Sequence, residues 1–316
     1  MTLAVSKPAD VIISESCTDN HLRGEDIDNA LFEGDCLAIL QRFPAQSVNL
    51  IVCDLPYGTT QNPWDSPINL AQLWSAYRHV LKPSGTIVLT GQGLFTARLM
   101  VSNEKWFRYK LVWEKSKPTN FLNARRQPLR KHEDICVFAP RQSVYFPQMS
   151  SGVPYDKGVR KNQLSGSYGD FLPAHVRSEG QRFPTDVIYF KTAESEGQVW
   201  HPTQKPVALG RYLIRTYSRP GELVLDNAFG SGSFLVAALL EDRHFCGIEK
   251  NDEAQLFKKA DIDFITLAAQ RLGEAWQFLG ETAQRKMSKV RIQRKDGSVC
   301  MEKLKWPEQS LGMAQK

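Results

Sequence analysis

The stretch that most constrains the fold is a short apolar run that ends on an acid. Residues 48–53 are apolar and β-branched over a length typical of a buried parallel strand. They are followed by Asp54, Leu55, Pro56 and Tyr57. Open α/β sheets bind their ligands at the carboxyl ends of the strands. The sequence therefore predicts a functional loop at this position.

The residue types in this loop suit the activation of an amine on a nucleobase. Such an amine is a poor nucleophile, because its lone pair is delocalised into the ring. The carboxylate of Asp54 and a backbone carbonyl held in place by Pro56 would accept its two N–H bonds and localise that lone pair. Tyr57 offers a flat face for an unstacked base, worth about 1–3 kcal/mol. The alternative from these residues alone is a strand end with a turn proline and a packing tyrosine.

The composition indicates a full hydrophobic core without a disulfide framework. Of 316 residues, 42% are hydrophobic, and the six cysteines are scattered without a Cys-x-x-Cys pair. A disulfide framework or a zinc site is therefore disfavoured, and we assign no metal ligands. The chain has no basic-then-apolar leader and no apolar run approaching the roughly 18 residues of a membrane span. These features predict a cytoplasmic protein that does not engage a membrane.

Positive charge is concentrated in two parts of the chain. The formal net charge is +6, but residues 105–182 hold 15 Lys/Arg against six Asp/Glu, and residues 283–316 hold nine against three. The rest of the chain is net acidic. Because phosphate neutralisation supplies most non-specific nucleic-acid affinity, two basic regions on an acidic body indicate a bound polyanion. On charge alone, a merely solvated basic surface is the alternative.

Short apolar runs alternate with amphipathic segments, which predicts a doubly wound α/β fold with a mostly parallel sheet. Antiparallel strands are expected at the end of the first run of elements. The predicted strands cover residues 31–35, 48–53, 86–89, 109–113, 134–138, 223–226 and 244–249. The predicted helices cover residues 36–43, 70–81, 95–101, 207–217, 234–240 and 252–279. Asp296 and Gly297 between alternating runs predict a hairpin in the tail.

Two irregular segments are candidates for contact with the polyanion. Residues 114–132 lack an apolar period and are very basic. The candidate phosphate contacts within them are Arg125, Arg126, Arg130 and Lys131. Residues 140–198 are rich in Gly, Pro, Ser and Tyr, and so long an irregular segment in a compact enzyme is usually functional or an insertion. We therefore place a target-recognition insertion there.

A second loop, late in the chain, has the pattern of a nucleoside site. The strand ending on Asp226 is followed by a turn that contains Gly230 and Gly232, then a helix, then a strand ending on Glu249. The glycines would let the backbone approach a ligand at a helix N-terminus. Glu249 is placed to accept hydrogen bonds from both ribose hydroxyls. No Gly-Lys-Ser/Thr follows the turn, and the third glycine of the dinucleotide spacing is missing. A nucleoside with a carboxylate tail, as in S-adenosylmethionine (SAM), fits better than a nucleoside triphosphate or NAD.

Taken together and in this order, the motifs resemble those of the amino-methylating DNA methyltransferases, in the circularly permuted subgroup called the β class. The stretches that carry the resemblance are Gly34-Asp35, Asp54-Leu55-Pro56-Tyr57, His201-Pro202-Thr203-Gln204-Lys205-Pro206, Asp226-Asn227-Ala228-Phe229-Gly230-Ser231-Gly232 and Gly247-Ile248-Glu249. They lie between residues 31 and 280, and they leave both termini and most of residues 140–198 unmatched. The resemblance implies a Rossmann-like SAM-dependent methyltransferase fold.

The resemblance also implies a division of the chain. The implied parts are an N-terminal extension (1–29), a catalytic half (30–139), a target-recognition insertion (140–198), a cofactor-binding half (199–280) and a basic C-terminal tail (281–316). Members of this subgroup are often dimers, so a homodimer is compatible with the resemblance, as is a cognate restriction enzyme.

Each motif has an implied role. Asp54, Pro56 and Tyr57 match the catalytic motif, with Tyr57 as the base-stacking residue. The implied cofactor-binding residues are Asp35, Asp54, His201, Thr203, Lys205, Asp226, Phe229, Gly230, Gly232 and Glu249. Among these, Asp35 is similar to the acid that contacts the cofactor's adenine amine. The stretch from His201 to Lys205 falls near the methionine end, with a turn and a surface lysine as the alternative. Leu55 is a departure, since the family most often has Pro there, but only its carbonyl is needed.

The implied activity is methylation of a base in DNA. Asp rather than Ser at position 54 points to adenine over cytosine. The methyl of SAM would pass to the exocyclic amine of an adenine flipped out of duplex DNA at a specific sequence. A cytosine-N4 or RNA acceptor, and a non-catalytic DNA-binding protein on the same scaffold, are the alternatives. A protein-glutamine methyltransferase would leave the basic regions unexplained. The enzyme would be bacterial or phage-encoded and nucleoid-associated.

Overall fold

The computed structural model describes residues 21–58, 66–160, 173–201, 203–251, 255–257 and 260–304. Five predicted features therefore lie partly or wholly outside the described residues: the lead-in before residue 21, the middle of the insertion, the motif position Pro202, the first part of the predicted helix over residues 252–279, and the tail beyond residue 304. Within the described residues, no helix has the length and apolar character needed to cross a bilayer.

The elements alternate between strand and helix, as the sequence pattern predicts. The strands are β1 (Ala30–Glu33), β2 (Val48–Cys53), β3 (Leu81–Gly91), β4 (Phe107–Thr119), β5 (Arg130–Phe138), β6 (Ser150–Ser151), β7 (Tyr155–Arg160), β8 (Ala174–Ser178), β9 (Gln181–Arg182), β10 (Val187–Phe190), β11 (Leu223–Asp226), β12 (His244–Glu249), β13 (Gln255–Phe257), β14 (Ala260–Ile262), β15 (Lys289–Gln293) and β16 (Val299–Lys303). The helices are α1 (Gly24–Ile27), α2 (Cys36–Leu40), α3 (Leu70–Val80), α4 (Leu94–Ser102), α5 (Val207–Tyr217), α6 (Ser233–Leu240), α7 (Phe264–Trp276) and α8 (Glu281–Lys286). Short 3-10 turns cover Phe121–Asn123 and Ala193–Ser195.

One sheet dominates the described residues. It has ten strands in the order β10-β4-β5-β3-β2-β11-β12-β1-β15-β16. Neighbouring strands are parallel, except that β5 is antiparallel to both β3 and β4, and β16 is antiparallel to β15. The prediction of a mostly parallel sheet with antiparallel strands at the end of the first run is confirmed. The predicted tail hairpin is also confirmed, and β15 extends the sheet beside β1.

Helices cover both faces of the sheet, so its central strands are buried on both sides. In β2, Leu50 and Val52 belong to the apolar cluster that contains residues of α5, α6 and α7. Ile51 and Cys53 belong to the opposite cluster, which contains residues of α2, α3 and α4. Successive residues of a strand point to opposite faces, so a strand between two helical layers is apolar throughout. This explains why residues 48–53 read as an unbroken apolar run.

The predicted helix over residues 252–279 is wrong in its first half. Residues 255–257 and 260–262 form a short antiparallel strand pair, and α7 begins only at Phe264. Asp263 is the N-cap of α7, with its carboxylate accepting from the backbone N–H groups of Ile265 and Thr266. An N-cap residue has extended backbone angles, so a helix cannot run through it.

The basic segment 114–132 is not a long loop. Instead β4 continues to Thr119 and β5 begins at Arg130, so most of the segment is the outer half of a hairpin. The two strands are held there by charged side chains rather than by an apolar face, which is why no apolar period marks them. In residues 140–198, β6 pairs with β9, β7 pairs with β8, and β10 joins the main sheet beside β4.

Strand order brings the two predicted loops to the same edge of the sheet. Strand β2 lies next to β11, with Leu50 opposite Val224 and Ile51 opposite Leu225. Strand β11 in turn lies next to β12, with Asp226 opposite Gly247. All three strands run in the same direction, so their carboxyl ends meet. The fold therefore places the loop after residue 53 beside the turn after residue 226.

Gly247 lies where the sheet, α6 and the glycine turn approach most closely. A Cβ atom built there would lie 2.6 Å from Leu235 Cδ1, 2.7 Å from Phe229 Cδ1 and 3.0 Å from Leu31 Cδ2. These neighbours are themselves buried, so they have little room to move. Only glycine fits this position without displacing the core.

We expect Gly247→Ala to lower the free energy of unfolding by about 1–3 kcal/mol, because it overpacks a buried site. Gly24→Ala is the matched control, since a Cβ at Gly24 meets no atom within 4 Å. The control should change the free energy of unfolding by less than about 1 kcal/mol. Urea unfolding followed by circular dichroism measures both. Equal stability of the two variants would contradict the close packing at Gly247.

Candidate active site

A cavity of about 850 Å³ opens at the carboxyl edge of the sheet. Its walls come from the loop after β2, the turn after β11, the end of β12, the segment before α5 and the outer part of the β4–β5 hairpin. The sequence-predicted residues that line it are Asp35, Asp54, Pro56, Tyr57, Arg130, His201, Thr203, Lys205, Asp226, Phe229, Gly230 and Glu249. The fold therefore brings all but one of the predicted catalytic and cofactor-binding residues to one place. Gly232 does not line the cavity, and of the four predicted phosphate contacts only Arg130 does.

Asp54 accepts hydrogen bonds from three protein donors. The Tyr57 hydroxyl donates to Oδ1 at 2.7 Å, and the Thr90 hydroxyl donates to the same oxygen. The Lys205 ammonium donates to Oδ2 and forms an ion pair with it. Thr90 is at the end of β3 and was not singled out from the sequence. The Asp54 carboxylate is thus oriented by residues from three separate stretches of the chain.

A buried chain of alternating charges extends from Asp54. Lys205 also lies 3.3 Å from Glu133 Oε2, and the Lys115 ammonium donates to Glu133 Oε1 at 3.0 Å. The side chains of Lys115 and Lys205 are only 6% and 7% exposed. Burial opposes the charged form of Lys205, but Asp54 and Glu133 hold the pKa of its ammonium above the usual value. Burial likewise opposes ionisation of Glu133, but Lys205 and Lys115 keep the pKa of that carboxyl below its usual range.

Sequence reasoning missed Glu133 and counted Lys115 only as part of a basic segment. Both residues lie on the long hairpin, at register positions that bring β4 and β5 side by side. No local motif marks them, because their partner Lys205 comes from a distant part of the chain. Only the tertiary fold reveals this part of the site.

The loop around Tyr57 is packed more tightly than a surface turn. The Tyr57 ring stacks on Phe95, with ring centroids 4.9 Å apart and an interplanar angle of 27°. The Lys205 ammonium lies 5.8 Å from the Tyr57 ring centroid. Leu55 is buried in the apolar cluster beneath the loop. The leucine that departs from the usual family pattern therefore has a packing role here.

The glycine turn adopts backbone angles that favour glycine. Gly230 has φ of +49° and Gly232 has φ of +78°. The Gly230 N–H donates to Glu249 Oε2 at 2.7 Å, so the turn and the end of β12 are joined directly. A Cβ at Gly230 would meet no atom within 4 Å, whereas one at Gly232 would lie 3.0 Å from Ala268 Cβ. Gly230 therefore leaves open space beside the backbone, and Gly232 allows α7 to pack against the turn.

Arg271 supports the turn from behind. Its guanidinium donates to the backbone carbonyl of Ser231 and to the Ser233 hydroxyl. Burial lowers the pKa of this guanidinium below its usual value. Arg271 lies on α7, which the sequence had placed only as packing, so its contact with the turn was not predicted.

The two acids of this half of the site are desolvated. Burial raises the pKa of Asp226 from its usual 3.8 to about 8, although hydrogen bonds from Cys53 and the Ala228 N–H oppose the shift. Burial also raises the pKa of Glu249. The neighbouring Asn227 accepts from the buried Tyr77 hydroxyl at 2.6 Å, which ties the turn to α3. Asp226 thus lies in a setting that favours the neutral carboxyl.

The remaining predicted residues lie at the cavity wall. Asp35 is exposed and caps α2, with Oδ1 accepting from the N–H groups of Leu37 and Ala38. His201 Nδ1 lies 3.0 Å from the Thr203 hydroxyl. Burial lowers the pKa of His201 to about 4, Lys205 adding to the effect and Asp54 opposing it. The imidazole is therefore neutral near pH 7.

The four predicted phosphate contacts lie on the outer part of the β4–β5 hairpin, and all are exposed. Arg130 donates to the Gln92 side chain at 2.9 Å, and Lys131 forms an ion pair with Glu114 at 2.8 Å. Arg125 and Arg126 lie on the turn between the strands. This basic surface is adjacent to the cavity mouth.

A doubly wound sheet with an acidic loop and a glycine turn on one edge is the architecture of the Rossmann-like, SAM-dependent methyltransferases. Residues 48–259 match the family model for N6/N4 enzymes described as DNA methylase, and the chain belongs to this DNA methylase family. The resemblance stated from the motifs is thereby confirmed at the level of the N6/N4 class. Enzymes of this family use SAM and act on DNA.

Individual relatives agree with this assignment. The chain is 23% identical to the Type II methyltransferase M2.MboI of Moraxella bovis over 300 residues, which covers 85% of this chain and 96% of the relative. Its fold is similar to that of the M1.HpyAVI–SAM complex, with a TM-score of 0.51, 20% identity and coverage of 77% and 98% of the two chains. It is also similar to that of the cytosine-N4-specific PvuII DNA methyltransferase, with a TM-score of 0.50, 14% identity and coverage of 83% and 90%. At these identities the two structures show the fold alone.

We expect Glu133→Gln to lower the free energy of unfolding by about 3 kcal/mol or more, because it leaves two buried ammonium groups short of a counter-ion. Glu114→Gln is the matched control. It also breaks a Glu–Lys pair between β4 and β5, but with side chains 41% and 56% exposed. The control should lose at most about 1 kcal/mol. Urea unfolding distinguishes them, and a similar small loss in both would mean that the buried charge chain does not hold the site together.

We expect stability to fall as pH rises towards 8, and Asp226→Asn to reduce that fall. A carboxyl whose pKa is about 8 in the folded chain and 3.8 when exposed binds its proton more tightly in the folded state. Its contribution is therefore greatest below pH 4 and is lost as pH rises towards 8, by at most about 1.4 kcal/mol per pH unit. Unfolding free energies of both proteins at pH 6, 7 and 8 measure the difference. Parallel curves for the two proteins would contradict the burial of an uncharged Asp226.

Proposed function

We propose that this chain transfers the methyl group of SAM to the exocyclic N6 amine of an adenine in duplex DNA. The observation that supports this most is that the Asp54 loop and the glycine turn, far apart in sequence, line one cavity of about 850 Å³. Holding two reactants together in a fixed orientation is a large part of catalysis for such a transfer. A volume of this size is within the range of known ligand sites.

In this proposal, the part of the cavity formed by the glycine turn holds SAM. The residues that would bind it are Asp35, Asp54, His201, Thr203, Lys205, Asp226, Phe229, Gly230, Gly232 and Glu249. These side chains fit a nucleoside, since the carboxylates of Glu249 and Asp35 can accept hydrogen bonds from hydroxyl and amine groups. The open space beside Gly230 admits a ligand close to the backbone. When bound, SAM supplies an electron-poor methyl group on a sulfonium that is already a good leaving centre.

Asp54 activates the acceptor in this proposal. Its carboxylate, with a carbonyl of the same loop, accepts the N–H bonds of the target amine and localises the nitrogen lone pair. Charge-assisted hydrogen bonds of this kind are about twice as strong as neutral ones. Pro56 restricts the loop that carries the carbonyl. Tyr57, with one face of its ring against Phe95, stacks the target base on the other.

The donors that surround Asp54 compete with the target amine for its carboxylate oxygens. Displacement of one of them would free an acceptor position for the amine. We assign this to Lys205, because Glu133 lies 3.3 Å from its ammonium and offers a second carboxylate. A buried ammonium that leaves one acid must find another, since an unpaired buried charge costs several kcal/mol, on the order of 3–5. Glu133 is therefore a positioning residue that receives Lys205 when substrate binds.

DNA reaches the cavity through displacement of one nucleotide from the helix. A stacked base cannot enter a cavity at a sheet edge, so the target base must be flipped out. The exposed Arg125, Arg126, Arg130 and Lys131 would contact phosphates around it. Side chains of the insertion over residues 140–198 would read base edges in the major groove.

Adenine is proposed over cytosine because of the acid at position 54. Both bases carry an exocyclic amine, and both could donate to Asp54. In the family that the motifs resemble, Asp rather than Ser at this position goes with adenine. The alternative is methylation of cytosine at N4. Chemical identification of the methylated nucleoside decides between them.

We expect DNA from a methylation-free host that expresses this chain to contain N6-methyladenine at one sequence. Nucleoside chromatography identifies the base, and long-read sequencing identifies the site. Asp54→Ala should lower the methylation rate by at least about 10²-fold, since the main acceptor for the amine is removed. Asp296→Asn, at an exposed turn of the tail, is the control and should retain the wild-type rate.

Thermal unfolding of both variants checks that they remain folded. A folded Asp54→Ala protein with a wild-type rate of DNA methylation would remove Asp54 from the chemistry. Detection of N4-methylcytosine instead of N6-methyladenine would be consistent with the same mechanism but would make cytosine the substrate. Absence of any methylated base from DNA of the expressing host, with a folded protein, would overturn the proposed function.

A further inference from the structure

Two large apolar side chains lie exposed at the tip of the β4–β5 hairpin. Phe121 is 75% exposed and Leu122 is 86% exposed. The hairpin residues on either side, Thr119, Asn120 and Arg130, line the cavity. Single exposed apolar residues are common on proteins, but an adjacent pair at the mouth of a site suggests a contact surface. We call these two residues the apolar tip.

The backbone under the apolar tip is well ordered by local hydrogen bonds. The Asn123 side chain donates to the Asn120 side chain at 2.8 Å, and its N–H donates to the Asn120 carbonyl at 3.1 Å. The Arg126 N–H in turn donates to the Asn123 carbonyl at 2.8 Å. At the base of the tip, Arg130 donates to Gln92, and Gln92 donates to the His132 carbonyl. The tip is therefore held in place relative to the cavity.

The charge around the apolar tip indicates the kind of partner. Residues 115–132 contain six Lys/Arg and no Asp or Glu. Arg125, Arg126 and Arg130 are exposed on the same turn. A symmetric contact with a second copy of this chain would place these cations against themselves. A polyanion with stacked apolar faces, namely duplex DNA, fits both the charge and the apolar pair.

We infer that Phe121 and Leu122 insert into the DNA stack where the target base has left it, an inference that rests on the proposed function. A flipped base leaves a gap between its former neighbours, and the faces of those bases are apolar. Apolar side chains inserted at a base step keep it unstacked. The apolar tip lies at the cavity mouth, so it is next to the point where the displaced nucleotide enters. The basic residues around it bind the flanking phosphates.

The test compares two duplexes that contain the methylation site mapped for the wild type. In the first, the target base is paired, and in the second, it lies opposite an abasic position, so no base pair has to be broken before the target base leaves the stack. The double variant Phe121→Ala/Leu122→Ala should lose about ten-fold or more in kcat/KM on the paired duplex. On the abasic duplex it should remain within about two-fold of the wild type. With 2-aminopurine at the target position of the paired duplex, the rise in fluorescence on binding should be smaller for the double variant than for the wild type.

Two controls distinguish insertion of the apolar tip into the DNA stack, which we call the wedge, from other roles of the hairpin. Phe278→Ala/Met301→Ala removes two other exposed apolar side chains, 82% and 58% exposed, and should behave as the wild type on both duplexes. Arg125→Ala/Arg126→Ala should weaken binding to both duplexes to a similar degree, as loss of phosphate contacts does. Both sets of residues are exposed, so the variants should fold.

The outcomes are distinct. An equal loss on both duplexes, or no loss on either, for the Phe121/Leu122 variant would overturn the wedge and leave the proposed function intact. A change in oligomeric state by light scattering would also overturn it and assign the tip to a second copy of the chain. Absence of methylation of both duplexes by the wild type would overturn the proposed function, and the wedge with it.

Discussion

The parallel pairing of β2 with β11 is the contact on which the candidate site depends. It joins two strands separated by most of the chain and brings their carboxyl ends to one edge. Asp54 then lines one cavity with residues that follow β11 and β12. The Lys205 ammonium, from the segment before α5, donates a hydrogen bond to Asp54. Without this pairing, the early acid and the late glycine turn would be two unrelated loops. With it, they form the walls of one cavity.

The carboxylates at this edge are in different electrostatic settings. Asp54 forms an ion pair with the buried ammonium of Lys205. Asp226 has no such partner among the residues that the structure describes, and burial raises its pKa to about 8. The same strand edge therefore presents one acid suited to accept hydrogen bonds from a cationic or amine donor and another suited to remain neutral. Environment rather than residue type assigns these roles, as it does in other sites with several acids.

The fold could be predicted well where local pattern decides it. The strands over residues 48–53 and 223–226 and the helix over residues 207–217 have the predicted boundaries, because an unbroken apolar run or a strong amphipathic period defines each. The error over residues 252–279 arose where an N-cap at Asp263 interrupted an apolar pattern that continued on both sides. Local capping chemistry overrode the period there.

The candidate site was predictable only in part, for a different reason. Residues that follow a strand in a recognisable motif, such as Asp54, Gly230 and Glu249, could be named from the sequence. Glu133 and Arg271 could not, because each acts on a motif residue from a distant element and has no local signal of its own. Such supporting residues become visible only when strand order and helix packing are known.

The proposed reaction requires an acceptor amine at Asp54 and SAM at the glycine turn to occupy one cavity together. Calorimetric binding of a bisubstrate ligand, in which the N6 of adenosine is linked covalently to the methyl position of a SAM analogue, tests this directly. If both parts bind side by side, the linked ligand should bind about 10²–10⁴-fold more tightly than S-adenosylhomocysteine. Asp54→Ala and Glu249→Gln should each weaken it. Affinity no greater than that of S-adenosylhomocysteine, and insensitive to Asp54, would show that the two half-sites do not meet.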